Sequence, residues 1–337
     1  MGNISDGTVI STRVRLARNI EGYPFPSHFD NDKQAKEIIR LVSSGLSRLD
    51  EFRLLYMDKV EDEQAVCLIE NHLISPKLLD NRLFSAALIN REESVSVMIN
   101  EEDHLREQCI VKGLDLRLAY DTMSEIDGCI AGSMKFAYDE QFGYLTACPT
   151  NLGTGLRASV MLFLPAITMN GLIPKVVRTI TRLGLTVRGV YGEGSDAQGF
   201  MYQISNEVTL GVTEEEILSE VEGVVEKIQK LEEAERRRLK SGPSALDVKD
   251  DCMRAYGILT NCARLSTKEF IALASKVKLG SCLGYLDIND VSKIDDLVLK
   301  LSPANITAAA GKALTPLERD VYRAQYCVKA FSKMSNN

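Results

Sequence analysis

The period of the apolar positions changes along the chain, and each change marks an element. Val95-Ser-Val-Met-Ile-Asn100 is a short apolar run with polar flanks, which predicts a buried strand. Phe136 to Thr146, with Asp139-Glu-Gln-Phe-Gly143 in its middle, predicts a β-hairpin. Leu185 to Tyr191 predicts another strand, and Gly199 to Leu210 one or two more. Helices are predicted between them, around Lys33–Leu49, Leu116–Ile130, Leu156–Leu164 and Ile173–Leu183. Adjacent hairpin-type strands argue for an α+β fold, an antiparallel sheet flanked by helices, and against a doubly wound parallel sheet. At Thr213 the pattern shifts. Thr213-Glu-Glu-Glu216 has the form of a capping box, and Ile217, Val221, Val224, Ile228 and Leu231 follow at helical spacing. This helix is expected to run as a solvated linker into Arg236-Arg-Arg238 and to stop at Ser241-Gly-Pro243. Beyond Pro243 every signal is helical. Ser266 with Glu269 opens one helix, which Gly280 would end, and Thr315-Pro-Leu-Glu318 opens another. The expected division is 1–243 for the mixed part and 244–337 for a small all-α domain.

Length and composition fit that division. The chain has 337 residues, 45% hydrophobic and 26% charged, as expected for about two globular domains. No apolar run approaches the ~20 residues of a membrane span, and Met1–Ser11 lacks the order of an export signal. A cytoplasmic protein is expected, with its eight cysteines reduced. His28, His72 and His104 have no metal-type spacing, so no zinc or other metal held by the chain itself is expected. The net charge of −7 gives no general attraction for nucleic acid. Its distribution changes the picture. Gln141 to Gly192 contains no Asp or Glu, yet carries Arg157, Lys175, Arg178, Arg182 and Arg188. Arg13, Arg15 and Arg18 lie between Asp6 and the next acid, Glu21. Local positive field in an acidic protein points to a small anionic ligand.

Three groups of residues carry candidate chemistry. The first is glycines. Gly153-Thr-Gly155-Leu-Arg-Ala158 and Gly192-Glu-Gly194-Ser-Asp-Ala197 fit a loose dinucleotide fingerprint, but no acid follows the first at the distance a ribose requires. The second is arginines. In Ser11-Thr-Arg-Val-Arg15 the alternation puts Arg13 and Arg15 on one face of a strand. Arg157 follows a Gly-rich turn near the start of a predicted helix, where backbone amides favour phosphate oxygens. Such arginines are often ordinary surface ion pairs; converging from separate elements they would neutralise a triphosphate. The third is acids. Asn100-Glu-Glu-Asp-His104 at a strand end is most often a solvated turn. After a buried strand and close to Arg106 it would also suit a pocket, and Glu193 lies in a loop after another strand. Two carboxylates from two loops could grip a planar cation.

Taken in order, Ser11-Thr-Arg-Val-Arg15, Asn100-Glu-Glu-Asp-His-Leu-Arg106, Cys148-Pro-Thr-Asn-Leu-Gly-Thr-Gly-Leu-Arg157 and Arg188-Gly-Val-Tyr-Gly-Glu193 resemble the motif series of the phosphagen (guanidino) kinase family. The match spans about residues 8–212. It implies an antiparallel sheet flanked by helices, with ATP and Mg2+ as the phosphoryl donor. By motif position Arg13, Arg15, Arg106, Arg157 and Arg188 would hold phosphates. The nucleotide would lie along Ser11, Thr12, Arg13, Val14 and Arg15, beside His72 and Arg106. It would continue along Arg157, Ala158, Ser159, Val160 and Met161, then Arg188, Gly189, Val190, Tyr191, Gly192 and Glu193. Glu102 and Glu193 would bind the guanidinium, with Glu102 the base, and Cys148 would stand beside the substrate. The chemistry asks for such groups. A guanidinium with a pKa above about 12 is no nucleophile until it is aligned and relieved of a proton, which a carboxylate fork can do.

The end of the chain bears on the substrate. Small-molecule members carry a helical domain ahead of the first motif, and here that motif begins at Ser11. Arg319-Asp-Val-Tyr-Arg-Ala324 would be a salt-bridged exposed helix on its own. It also resembles the phosphoarginine-binding motif of the family's protein-arginine kinases, which implies an allosteric pocket at Arg319, Asp320, Arg323 and Ala324. The resemblance thus implies phosphorylation of protein arginines, marking for Clp-protease degradation and heat-shock control. It implies an activator, McsA, a repressor, CtsR, and a homodimer. Two alternatives stand beside it: a kinase of free arginine or another small guanidino compound, and a non-catalytic phosphoarginine-binding adaptor.

Overall fold

Strand β1 (Val9–Arg18) is the backbone of the molecule, because its side chains split by parity. Val14 and Leu16 are buried on one side, and Arg13 and Arg15 emerge on the other. A computed structural model describes residues 7–29, 31–47, 49, 51–189 and 198–334. Seven further strands of the main sheet are β2 (Phe52–Tyr56), β3 (Ala86–Asn90), β4 (Val95–Ile99), β5 (Leu105–Lys112), β8 (Leu156–Phe163), β9 (Leu185–Gly189) and β10 (Met201–Asn206). They lie in the order β2-β3-β4-β5-β1-β8-β10-β9, and each neighbouring pair is antiparallel. The expected hairpin is present as β6 (Tyr138–Asp139) and β7 (Gly143–Tyr144).

Helices α1 (Asp32–Leu46), α3 (Leu116–Ala131) and α5 (Ile173–Thr181) contribute to the core on the apolar side of this sheet. Asn31 and Asp115 cap α1 and α3 by accepting from Lys33 and Leu118 amides. On the other side α2 (Asp62–Glu70) packs with Ala87, Ile89 and Met98. The short α4 (Pro165–Met169) follows β8.

Two expectations fail here. The segment expected as a helix over Leu156–Leu164 is β8, beside the central strand. Leu156, Ala158, Val160 and Leu162 are all fully buried, the period of 2 that a half-buried strand requires. The helix after Thr213, α6 (Glu214–Ser241), has the capping box as read, but it is not a solvated linker. Ile217, Val221, Val225 and Ile228 join the main core. Its Glu232 is fully buried and accepts from the amides of Ala166 and Ile167 at the start of α4, 3.0 Å each, while Arg236 pairs with it at 2.9 Å. A buried carboxylate satisfied by two amides and an arginine is a packing device.

Five helices complete the chain: α7 (Ala245–Leu259), α8 (Thr267–Cys282), α9 (Ser292–Lys300), α10 (Pro303–Ala310) and α11 (Pro316–Met334). They enclose a core of their own around Leu259, Phe270, Ile294 and Phe331. Ser266 caps α8, and Thr315 and Glu318 exchange hydrogen bonds at the start of α11. Gly280 does not end α8, which runs on to Cys282. A Cβ at Gly280 would lie 2.8 Å from Cys252, so the glycine is where α7 comes closest. Among the described residues no helix is long and apolar enough to cross a membrane.

Candidate active site

Register decides which arginines meet. Arg15 lies opposite Arg157 on β8 and Gln108 on β5, and Arg106 lies opposite Ala17. Gln203 on β10 pairs with Met161 on one side and Arg188 on the other. Side chains alternate along a strand and partners across a sheet share a face. Arg13, Arg15, Arg106, Arg157 and Arg188 therefore all stand on one face, with Ser11, Ser159 and Met161. Thr12, Val14, Ala158 and Val160, also expected along the nucleotide, turn their side chains to the opposite, buried face.

The arginines crowd one another. Burial, then Arg106 and Arg157, push the Arg13 guanidinium down to about 10, and Arg15 falls well below its usual value for the same reasons. Burial and then Arg188 lower Arg157. The Nε atoms of Arg15 and Arg157 are buried without a hydrogen-bond partner among the described residues. Buried donors left open beside like charges call for an anion with several acceptor oxygens, and a polyphosphate fits that requirement. Such residues suit a nucleotide. Among the described residues no cluster of three or more acids, histidines or cysteines could cage a metal.

The three acids after β4 have separate tasks. Glu101 is nearly buried and accepts from Arg106 Nη1 with both oxygens, 3.0 Å each, and from the Ser75 hydroxyl. Glu102 is about a third exposed, pairs with Lys77 at 2.7 Å, and faces a cleft of about 180 Å³ shared with Arg15, Arg106, Arg157 and Cys148. Asp103 is buried and accepts from the Asn19 side chain and the Ala147 amide, 2.6 Å each, which fixes the approach to Cys148. Burial raises the Asp103 carboxyl above its usual range. The solvated turn that three consecutive acids suggest is thus mostly buried. Cys148 Sγ lies 3.1 Å from Thr150 Oγ1 on the cleft wall.

Arg18 was outside the expected site, and parity explains why it matters. It is on the opposite face of β1 from Arg13 and Arg15, nearly unexposed. Its Nη1 donates to the carbonyls of Ala17 and Thr154, its Nε donates to Asp127 at 3.1 Å, and Tyr144 lies 3.6 Å beneath it. It ties the loop from Cys148 to Arg157 to β1 and α3. Gly153 and Gly155 belong to that packing, not to a dinucleotide turn. Both have positive φ, and a Cβ on Gly153 would lie 2.1 Å from the Thr209 carbonyl oxygen.

At the far end of the arginine face is a second cavity of about 900 Å³, lined by Ser11, His72 and Met161 among others. Burial and then Arg13 lower the His72 pKa below its usual value. Arg188 is exposed at the edge of the sheet, and Gly189 ends its strand. Val190, Tyr191, Gly192 and Glu193 lie outside the described residues, so the approach of Glu193 to Glu102 is not described. The Arg319–Ala324 motif is on α11. Arg323 is almost fully buried and donates to the carbonyls of Leu301 and Leu265 and to Asp320, and Ala324 is in the core. Arg319 and Asp320 remain partly exposed.

Comparison with known proteins places the chain in a family. Residues 34–235 match the ATP:guanido phosphotransferase C-terminal catalytic domain, and residues 245–337 match the protein-arginine kinase McsB C-terminal domain. The protein-arginine kinase of Caldanaerobacter subterraneus subsp. tengcongensis is 43% identical over 96% of this chain and 97% of its own length. That of Halothermothrix orenii is 41% identical over 94% of this chain and 91% of its own. Among solved structures, a lombricine kinase superposes with a TM-score of 0.61 at 29% identity, covering 69% of this chain and 68% of its own. The arginine face, the cleft with Glu102 and the near full-length likeness agree: the chain belongs to the ATP:guanido phosphotransferases, among the protein-arginine kinases.

Proposed function

We propose that the protein transfers the γ-phosphoryl group of ATP to the guanidinium of arginine in other proteins. The crowded arginine face supports this reading most directly, because Arg15 and Arg157 hold buried donors with no partner among the described residues. The phosphates would lie against Arg13, Arg15, Arg106, Arg157 and Arg188, and the nucleoside would lie toward Ser11, His72 and Met161. Mg2+ bound to the phosphates would neutralise charge on them. The substrate guanidinium would enter the cleft beside Cys148 and be gripped by Glu102 and Glu193. A guanidinium nitrogen then attacks the γ-phosphorus. The N–P bond forms, the P–O bond to ADP breaks, and the nitrogen's proton passes to the Glu102 carboxylate. Alignment and charge neutralisation carry most of the rate.

In this reading residues 1–243 form the catalytic unit. Residues 244–337 form the regulatory unit, which senses phosphoarginine through Arg319 and Asp320, with Arg323 and Ala324 shaping the helix beneath. A homodimer in the cytoplasm, an activator McsA, the repressor CtsR as a partner and delivery of marked proteins to a Clp protease complete it. The deciding experiment is incubation with ATP, Mg2+ and casein, followed by mass spectrometry that preserves acid-labile phosphates. Phosphate on arginine is expected, with kcat falling about 10²–10⁴-fold in Glu102→Gln. Phosphorylation of free arginine alone would replace the protein substrate with a small one. Absence of any phosphorylation, even with the activator added, would leave an adaptor.

A further inference from the structure

The 900 Å³ cavity at the nucleoside end has a wall that the catalytic sheet does not supply. On one side are Ser11, His72, Val111 and Met161. On the other are Ser292, Asp295, Asp296, Val298 and Leu299, all from α9. Positions 292, 295, 296 and 299 fall at helical spacing, so one face of α9 is turned to the cavity. From Arg15 back to Ser11 is four residues of strand, about 13 Å. A nucleotide with its phosphates at Arg15 and Arg157, stretched along β1, therefore brings its base to this wall.

The wall is fixed by specific bonds. Asp295 pairs with the buried Lys278 of α8 at 2.7 Å, and Asp296 pairs with Lys112 of β5 at 2.7 Å. The joint between α9 and α10 is held by α2. Glu70 Oε2 accepts from the Ser302 hydroxyl at 2.6 Å and from the amides of Ala304 and Asn305 at 2.9 and 3.1 Å. A carboxylate on the first amides of a helix is a favourable pairing. Asn71 accepts from the Asn305 side chain at 2.8 Å, and the next residue is His72, which lines the cavity. The clamp on α10 and the histidine in the pocket are thus three consecutive residues of one chain segment.

We infer that α9 of the C-terminal helical region forms one side of the base pocket for the nucleotide, and that Glu70 and Asn71 hold it there. This rests on the nucleotide placement proposed above. It makes the helical region part of the nucleotide site, so any change that moves the α9–α10 joint changes nucleotide affinity. Arg323 bonds the Leu301 carbonyl in that same joint, which gives α11 a mechanical hold on the pocket.

The test is amide hydrogen exchange of the full chain with and without MgADP, read by mass spectrometry, with nucleotide affinity of two variants measured alongside. The expected result is slower exchange both in 11–15 and 157–161 and in 292–305. Leu299→Trp, which intrudes into the pocket, and Glu70→Gln, which weakens the clamp, are each expected to raise the nucleotide Kd about fivefold or more, with unchanged circular dichroism. Protection of 11–15 and 157–161 with none in 292–305, and Kd unchanged in both variants, would overturn the inference while leaving the nucleotide placement standing. No protection in any of the three segments would overturn the placement itself and the inference with it.

Discussion

Glu101 offers the most discriminating perturbation, because it is the buried carboxylate set against Arg106 within the arginine cluster. Its side chain is 2% exposed and that of Arg106 is 28% exposed. Removing one partner of a buried pair costs about 3–5 kcal/mol. Water reaches Arg106, so part of that cost is recovered, whereas weakening the bond from Ser75 adds about 1 kcal/mol. Glu101→Gln is therefore expected to lose about 2–3 kcal/mol of stability, a factor of roughly 30–150 in the unfolding equilibrium. The loss has a signature beyond its size. Glu101 is one of the charges that hold the Arg15 guanidinium in its protonated form, and the phosphates of a nucleotide would take over that task. Saturating ATP should thus stabilise Glu101→Gln by more than it stabilises the wild type. Urea midpoints with and without ATP measure both quantities. If the variant is as stable as the wild type without nucleotide, or if ATP stabilises both equally, Glu101 is not the counter-ion of the cluster. Glu101 lines the same cleft as Glu102, but both its oxygens accept from Arg106 whereas Glu102 is about a third exposed, so the variant should keep far more of its kcat than Glu102→Gln.

Three further outcomes follow from groups away from the reacting atoms. His104 accepts from the Ile20 amide through Nδ1 and bonds the Pro24 carbonyl through Nε2, and burial lowers its pKa to about 4. The unfolded chain therefore binds the extra proton first, so stability is fully present above pH ~6.5 and falls by up to about 3 kcal/mol as pH drops from 6.5 to 4. His104→Asn should flatten that stretch of a stability–pH curve. Burial, then Asp127, raise Glu107 well above the usual carboxylate range. Its contribution is present below the unfolded pKa of about 4.5 and lost as pH rises through the folded value, so Glu107→Gln should raise the urea midpoint at pH 8 more than at pH 5. Gly153→Ala places a methyl 2.1 Å from the Thr209 carbonyl oxygen. Displacement of the Cys148–Arg157 loop should lower kcat/KM about tenfold or more, measured by ADP release.

The sequence was most readable where one physical rule governed a segment, and least where two rules competed. Thr213, Ser266 and Thr315 cap their helices as read, because a capping side chain bonds its own neighbours and needs nothing from the rest of the fold. The Leu156–Phe163 strand resembles a helix in sequence because Leu, Ala and Met are good helix formers and Gly155 precedes them like a helix start. Met161 also blurred the alternation that the four buried residues carry. Only pairing with β1, more than a hundred residues away, makes that alternation decisive, and tertiary context outweighs propensity there. The site shows the same division. Strand parity alone puts Arg13 and Arg15 together, the Gly-rich turn points to Arg157, and the motif resemblance supplies the phosphate role of Arg106, but nothing local distinguishes Glu101 from Glu102. One turns inward to Arg106 and the other outward to Lys77, in a turn that Asn100 enters with positive φ, a conformation that Asn tolerates well. The position of Arg18 carries a readable signal: an even position in a strand whose odd positions face the ligand must face the core. A buried arginine there needs a carboxylate and carbonyls around it, and those come from α3 and the Thr154 turn, which only the fold brings near. Local chemistry was therefore legible as residue types, while the partner of each charge was decided by register.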